Sequence, residues 1–261
     1  MKRTQQKKIV FAFVLIFNLI STTTIARVFS LNDQKVASYF KGTTGSSLVL
    51  QKPFSESIDS SATVSQTFSS NLAGEIGVVY TSPQVGFLLG VEIIHPKALA
   101  GVSGYDVASQ NLFTLDSDVS ALIPKFGFDI VLAKGELWRA YLNLSGGSGT
   151  MSYTNHYAFT TAGQTAFNSL ADFSEEVGGV ASMMSASFAI ESFLSDATTF
   201  TLEAGYRQLN FNSLTYKKDV TTITGSHLKG DVVKKLDGTT AKEINFGGVF
   251  GGLILRFYVG K

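Results

Sequence analysis

The chain has 261 residues, with 21 basic and 20 acidic side chains and no Cys. Balanced charge excludes the strongly basic face of a nucleic-acid binder. The absence of Cys excludes disulfides, thiol nucleophiles and thiolate metal sites. Beyond residue 20 there is no long apolar block, which excludes a helical membrane protein.

The chain begins with Lys2, Arg3, Lys7 and Lys8, then a twelve-residue apolar run over 9–20 broken only by Asn18, then a polar stretch ending Thr24-Ile25-Ala26. Basic start, short apolar run and small residues before a cut are the parts of a secretory signal peptide, expected over 1–26 and removed after Ala26. A membrane anchor would need about 20 apolar residues. With no Cys near the cut, a lipoprotein is not expected. Removing the four basic residues of the leader leaves 17 basic against 20 acidic, a net charge of about −3. About 235 residues then remain, enough for one barrel.

Residues 27–39 are expected to form a periplasmic N-terminal segment, and 40–261 the barrel. Its first strand is read from Phe40, Gly42, Thr44, Ser46, Leu48 and Leu50, followed by a loop over 55–69. From there a period of two governs the chain. Leu72, Gly74, Ile76, Val78 and Tyr80 alternate with Ala73, Glu75, Gly77, Val79 and Thr81. After Ser82-Pro83, the residues Val85, Phe87, Leu89, Val91 and Ile93 alternate with Gly86, Leu88, Gly90, Glu92 and Ile94. Successive side chains of a strand point to opposite faces, so each segment has one oily face and one mixed, charge-bearing face.

The same alternation recurs in Leu122, Phe126, Phe128, Ile130 and Leu132 against Lys125, Gly127 and Asp129. It recurs in Trp138, Ala140, Leu142 and Leu144 against Arg139, Tyr141 and Asn143. Val180, Met184, Ala186, Phe188 and Ile190 oppose Met183, Ser185, Ser187 and Glu191. Phe200, Leu202, Ala204 and Tyr206 oppose Thr201, Glu203, Gly205 and Arg207. A last strand within 244–259 sets Val249, Leu253, Leu255, Phe257 and Val259 against Phe250, Ile254 and Arg256.

Short links at Ser82-Pro83, Lys134-Gly135 and Ser195-Asp196 alternate with long ones, read as 96–120, 151–175 and 214–243. Outer-membrane barrels alternate short periplasmic turns with long outer loops. The pattern predicts an all-β fold, a transmembrane eight-stranded antiparallel up-and-down β-barrel in the bacterial outer membrane, with both chain ends in the periplasm. A soluble lipocalin-like barrel would wet one face of each strand, yet here the non-oily face carries only one or two charges among Gly, Ala and Ser. A β-sandwich does not account for the alternation of link lengths. Phe40, Tyr80, Trp138, Phe200 and Phe257 fall near the inferred periplasmic ends, where aromatic girdles form.

On these features the chain resembles the small eight-stranded outer-membrane proteins, the OmpA-type and OmpX-type barrels, over residues 37–261. Its closing segment Gly252-Leu253-Ile254-Leu255-Arg256-Phe257 is similar to the C-terminal signal read by the barrel-assembly machinery, a partner the resemblance implies. Members usually end on Phe or Trp, whereas this chain continues through Tyr258-Val259-Gly260-Lys261. No periplasmic peptidoglycan-binding domain follows, so an anchoring role is not implied.

The inward charges are expected to be Glu75, Glu92, Asp129, Glu191 and Glu203 against Lys125, Arg139, Arg207 and Arg256. Buried charges are costly unless paired, so an ion-pair network filling the lumen is expected. Eight strands leave an interior just wide enough for side chains. A structural plug is therefore favoured over a narrow ion-conducting pore. Some eight-stranded barrels modify lipid A with His, Ser and an acid at the outer rim. Here His95, His156, His227 and Asp116-Ser117 fall in or near loops at no spacing that forces them together, so no catalytic residues, metal site or cofactor are expected.

The last loop, with Lys217, Lys218, Lys229, Lys234, Lys235 and Lys242 against four acids, suits lipopolysaccharide phosphates or a partner surface. Aromatic residues of the third loop (Tyr153, Tyr157, Phe159, Phe167, Phe173) suit a cap, with a short helix over 165–173. The strands that close the barrel are smooth outside, with Gly42, Thr44 and Ser46 beside Gly247 and Gly251. Small residues let backbones approach closely, which suits either self-association through this seam or tight curvature of the wall at its glycines. The expected function is a non-enzymatic structural or interaction role among outer-membrane lipid, the assembly machinery and copies of itself.

Overall fold

The computed structural model describes residues 35–51, 63, 64, 66, 68–195, 197–234 and 239–259. The expected signal peptide and residues 27–34 lie outside the described residues. Eight strands form the wall: β1 (Val36–Gln51), β2 (Phe68–Thr81), β3 (Val85–Pro96), β4 (Asn111–Lys134), β5 (Trp138–Phe159), β6 (Phe173–Ser195), β7 (Thr198–Tyr216) and β8 (Gly248–Tyr258). Each is antiparallel to its sequence neighbour, and β8 pairs back onto β1 from Ala37↔Tyr258 to Ser47↔Gly248. The sheet is therefore a closed ring, and closure removes the unpaired edges an open sheet would offer. Links of two or three residues (82–84, 135–137, 196–197) gather at one end, the turn end, and long connections at the other, the loop end. The chain enters and leaves at the turn end, where Val36 lies opposite Tyr80 and Ala37 opposite Tyr258.

Inside and outside follow the expected alternation, and the outside is apolar. Leu72, Leu89, Phe126, Leu132 and Leu202 project from the ring with more than half their surface uncovered. A ring that turns such a belt outward and its charges inward is a transmembrane β-barrel. The same observation excludes the soluble barrel.

Two expectations about length are corrected. Strands β4, β5 and β6 have 24, 22 and 23 residues, about twice the 9–11 that a tilted strand needs to span a bilayer. Most of 96–120 and much of 151–175 is wall, not loop. Along β4 the outward residues Thr114, Asp116, Asp118 and Ser120 give way to Leu122, Phe126, Phe128, Ile130 and Leu132. The inward ones run Phe113, Leu115, Val119 and Ile123, then Lys125 and Asp129. The loop half of the wall thus stands in water with an apolar inside. A further strand, Leu99–Tyr105, pairs with upper β4 where β3 has ended. At the other end β1 begins at Val36, so the last residues of 27–39 already belong to the wall.

The short helix is placed earlier than expected. Helix α1 is Thr161–Ala166, because the Thr160 hydroxyl accepts the Gly163 N–H and caps its start. Phe167 and Phe173 then pack with Phe159 beside it.

Candidate functional site

Three layers fill the lumen. Nearest the turn end, the Arg256 guanidinium binds Asp129 (2.7 Å) and Glu191 (3.2 Å), and donates to the Tyr141 hydroxyl (2.8 Å). Arg139 binds Glu191 at 2.5 Å. Thr199 and Tyr258 donate to the other oxygen of Glu191, and Asn143 donates to Asp129. Glu191 and Arg256 are essentially inaccessible to solvent, yet their charges have partners, which is what makes such burial tolerable.

A second layer lies above it. Lys125 bridges Glu75 (2.8 Å) and Glu92 (3.0 Å), and Arg207 holds the other oxygen of Glu92 at 2.5 Å. Lys41 binds Glu203 at 2.6 Å and stands 3.9 Å from Glu75. Arg207 also lies over the Phe250 ring, its guanidinium carbon 4.8 Å from the ring centroid. Tyr39 donates to Glu75 and reaches there through a slot floored by two glycines. A Cβ on Gly77 or Gly90, which face each other across β2 and β3, would stand 2.6 or 2.5 Å from the Tyr39 hydroxyl. The gap between the two layers is only 10 Å³, room for about one water.

The third layer is apolar. Ile94, Ile123, Met151, Met183, Leu209 and Phe211 fill the ring, and Phe68 and Phe211 meet Phe246 edge-on at 5.6 and 5.3 Å.

All nine residues expected in the ion-pair network are buried in it. Sequence reading missed Lys41, which lies between Phe40 and Gly42 on β1. Outward Phe40 and Gly42 would still have put Lys41 inside. With Lys41 included, five acids meet five bases, and each layer is neutral by itself.

Above the apolar layer, at the loop end, a chamber of 40 Å³ lies among β5, β6, β7 and the connection 217–247. Tyr153, Tyr157, Phe173, Glu175 and Tyr216 line one side, and Thr222, Thr224, Lys234 and Lys242 the other. Buried Ser117 donates to Asn155 Oδ1 (2.7 Å), and Asn155 Nδ2 donates to Glu175 Oε1 (2.5 Å). Burial pushes the Glu175 carboxyl above the usual carboxylate range, with Asn155 and Lys242 pulling the other way. Burial likewise raises the Tyr153, Tyr157 and Tyr216 phenols. Glu175 escaped sequence reading because it fell in the span taken as a loop, although its alternation with Val177 carried the signal.

On the outer surface above the belt, Asp116, His156 and Ser174 share one cross-strand row of β4, β5 and β6. His156 Nδ1 and Ser174 Oγ are 2.8 Å apart. Asp116 instead accepts the Gly101 N–H at 2.7 Å, and no ion pair joins it to His156 among the described residues. His95 pairs with exposed Asp118 at 3.3 Å, and His227 stacks on Tyr216 with ring centroids 4.5 Å apart. The three histidines stay in separate places.

The expected seam is corrected at one position. Gly42, Thr44 and Ser46 are exposed beside half-exposed Gly251, but Gly247 precedes β8 and is buried. A Cβ on it would stand 2.8 Å from Gln208 Oε1 and 2.9 Å from the Tyr206 hydroxyl, so it belongs to a loop contact. Its place outside is taken by Gly74, opposite Gly42 on β2, and both are open to their surroundings. Of the girdle residues, Tyr80 and Trp138 are exposed on the outer face, Phe200 is half-buried, and Phe40 meets Phe257 edge-on at 6.1 Å.

No family model and no curated protein matches the sequence. Among solved structures the chain is similar to the outer membrane protein OprG of Pseudomonas aeruginosa, with 11% identity and a TM-score of 0.37. That match covers 87% of this chain and 98% of the other. It is similar to the outer membrane protease OmpT of Escherichia coli at 8% identity and a TM-score of 0.38, covering 90% and 99%. With a major outer membrane protein of Thermus thermophilus it shares 10% identity and a TM-score of 0.41, covering 85% and 99%. The class rests on the molecule itself: a small eight-stranded barrel of the outer-membrane type, defined by ring closure and the apolar belt.

Proposed function

We propose that this protein is a non-enzymatic interaction protein of the outer membrane, with its turn end in the periplasm and its loop end outside. The observation that supports this reading is the packing of the lumen, where two neutral ion-pair layers and an apolar layer are stacked among the described residues. What such a barrel offers is its rigid, water-exposed loop end. Conductance of the purified protein in planar bilayers tests it. No steps above background are expected, and reproducible nanosiemens steps would mean that the plug yields and the protein is a pore.

The row of Asp116, His156 and Ser174 does not favour hydrolysis, since the acid that should orient the histidine is engaged elsewhere. Self-association has one supporting observation. Gly74, paired opposite Gly42, floors a 550 Å³ groove on the belt, walled by Phe40, Leu72, Ile76, Val91 and Ile93. A second copy can lay its own wall there, in the manner of close-packed membrane helices. The mass of the detergent-extracted complex and its co-purified lipid tests this: a dimer that Gly74→Phe dissociates is expected, and a wild-type monomer carrying only lipid refutes it.

A further inference from the structure

We propose that the loop-end chamber is a binding site for a primary ammonium group. The proposal deepens the reading of the loop end as the working surface, by naming a ligand class there. Glu175 is fixed in place: Asn155 donates to its Oε1, and Ser117 occupies the Asn155 carbonyl, so the amide cannot turn away. Every hydrogen in this relay points toward the carboxylate. Its Oε2 accepts no hydrogen bond among the described residues, and Glu175 makes no salt bridge there. Glu175 is half-buried and lines the chamber, so this oxygen is open to a ligand there without a contacting cation.

The surroundings suit a cation of one shape. Tyr157 stacks on Phe173 with centroids 4.5 Å apart and Tyr216 stacks on His227 at 4.5 Å, so the wall beside Glu175 is aromatic. Thr222 and Thr224 line the chamber from the connection, their hydroxyls bonded to each other at 2.9 Å and that of Thr224 also to His227 Nε2 at 3.0 Å. A volume of 40 Å³ is room for about three waters, enough for an ammonium and its first carbon.

Lys242 competes for the same carboxylate from the loop, and exposed Lys234 adds repulsion at the entrance. The other titratable groups are Tyr153 and Tyr157 from β5 and Tyr216 from β7, all held neutral by burial, with His227 behind Tyr216. Because burial raises the Glu175 carboxyl, occupancy should rise with pH as that group ionises.

The test is titration of the detergent-solubilised full chain, followed by saturation-transfer NMR of the added amine. Methylammonium and Nα-acetyl-lysine methylamide present the same head as a free amine and as the end of a polypeptide side chain. Tetramethylammonium, a cation with no N–H donor, is the control. Saturable binding of both amines, weakened at least about tenfold by Glu175→Gln with the loss of a charge-assisted hydrogen bond, supports a site open to polypeptide lysines. Binding of methylammonium alone supports a site for free amines. Lys242→Ala should tighten binding, and a heat-modifiable gel shift shows that each variant still forms the barrel. No saturable binding by wild type and Lys242→Ala overturns the proposal, as does equal binding of tetramethylammonium. Conductance probes the lumen and this titration the chamber, so the two readings can fail separately.

Discussion

The two halves of the barrel share one wall and opposite chemistry. On β4, Phe113, Leu115 and Val119 face inside with Ser117 the polar exception, Thr114, Asp116 and Asp118 face outside, and beyond Ile123 the faces exchange roles with no break in strand geometry. In the loop half the outside is water, so burying Phe113, Leu115 and Phe211 inside lowers the free energy by roughly 25 cal/mol per Å². In the turn half the outside is hydrocarbon, and an apolar interior would gain nothing by being inside. Cohesion there must come from something the lipid cannot supply, namely ion pairs and their hydrogen bonds. The medium outside decides which chemistry holds the inside together.

The most severe test of that contrast is Arg256→Met. It leaves Asp129 and Glu191 short of their shared cation in a dry interior, and a loss of about 3–5 kcal/mol is expected in urea unfolding from lipid vesicles. Removal of Asp118, whose pair with His95 is exposed, serves as the reference and should cost below about 1 kcal/mol. Equal costs would dissolve the distinction between the halves.

A smaller effect is expected from Gly90→Val, which drives a side chain into the slot of Tyr39. Overpacking of this kind costs about 1–3 kcal/mol. Tyr39→Ala in the same chain should recover part of it, and failure to do so would mean that the slot is not what the glycine serves.

The smallest effect lies in the loop half and depends on pH. The Glu175 carboxyl is raised by burial, so its folded form prefers the proton. Its contribution to stability is complete below the ordinary carboxylate pKa of about 4.3 and is lost as pH rises through the folded value. Hydrogen exchange of the 217–247 connection should quicken over that window beyond its intrinsic pH dependence. Glu175→Gln should remove the excess, and an unchanged profile would show that Glu175 does not hold this connection.

Much of the wall was legible because period two survives any medium. The ends of the long strands were not. Outward Thr114, Asp116 and Asp118 look like loop residues to a reader expecting oil outside, although Phe113, Leu115 and Val119 kept the alternation going. Nine of the ten network charges could be placed because each sat opposite an oily face, and Lys41 was passed over although Phe40 and Gly42 beside it were read as outward. Gly247 shows the opposite failure: a glycine that looked like part of a smooth outer face is needed for a close loop contact. The Ser117–Asn155–Glu175 relay joins three strands, and only register brings its members together.

Arg256 has a consequence for assembly. It sits on the last strand made, yet its contacts reach β4, β5 and β6 across the lumen. A slip of β8 by one residue would turn it outward. A slip by two would keep it inside but carry it about 6.6 Å along the axis, out of hydrogen-bonding range of Asp129. The register that closes the ring is thus also the one that gives Asp129 and Glu191 their shared cation.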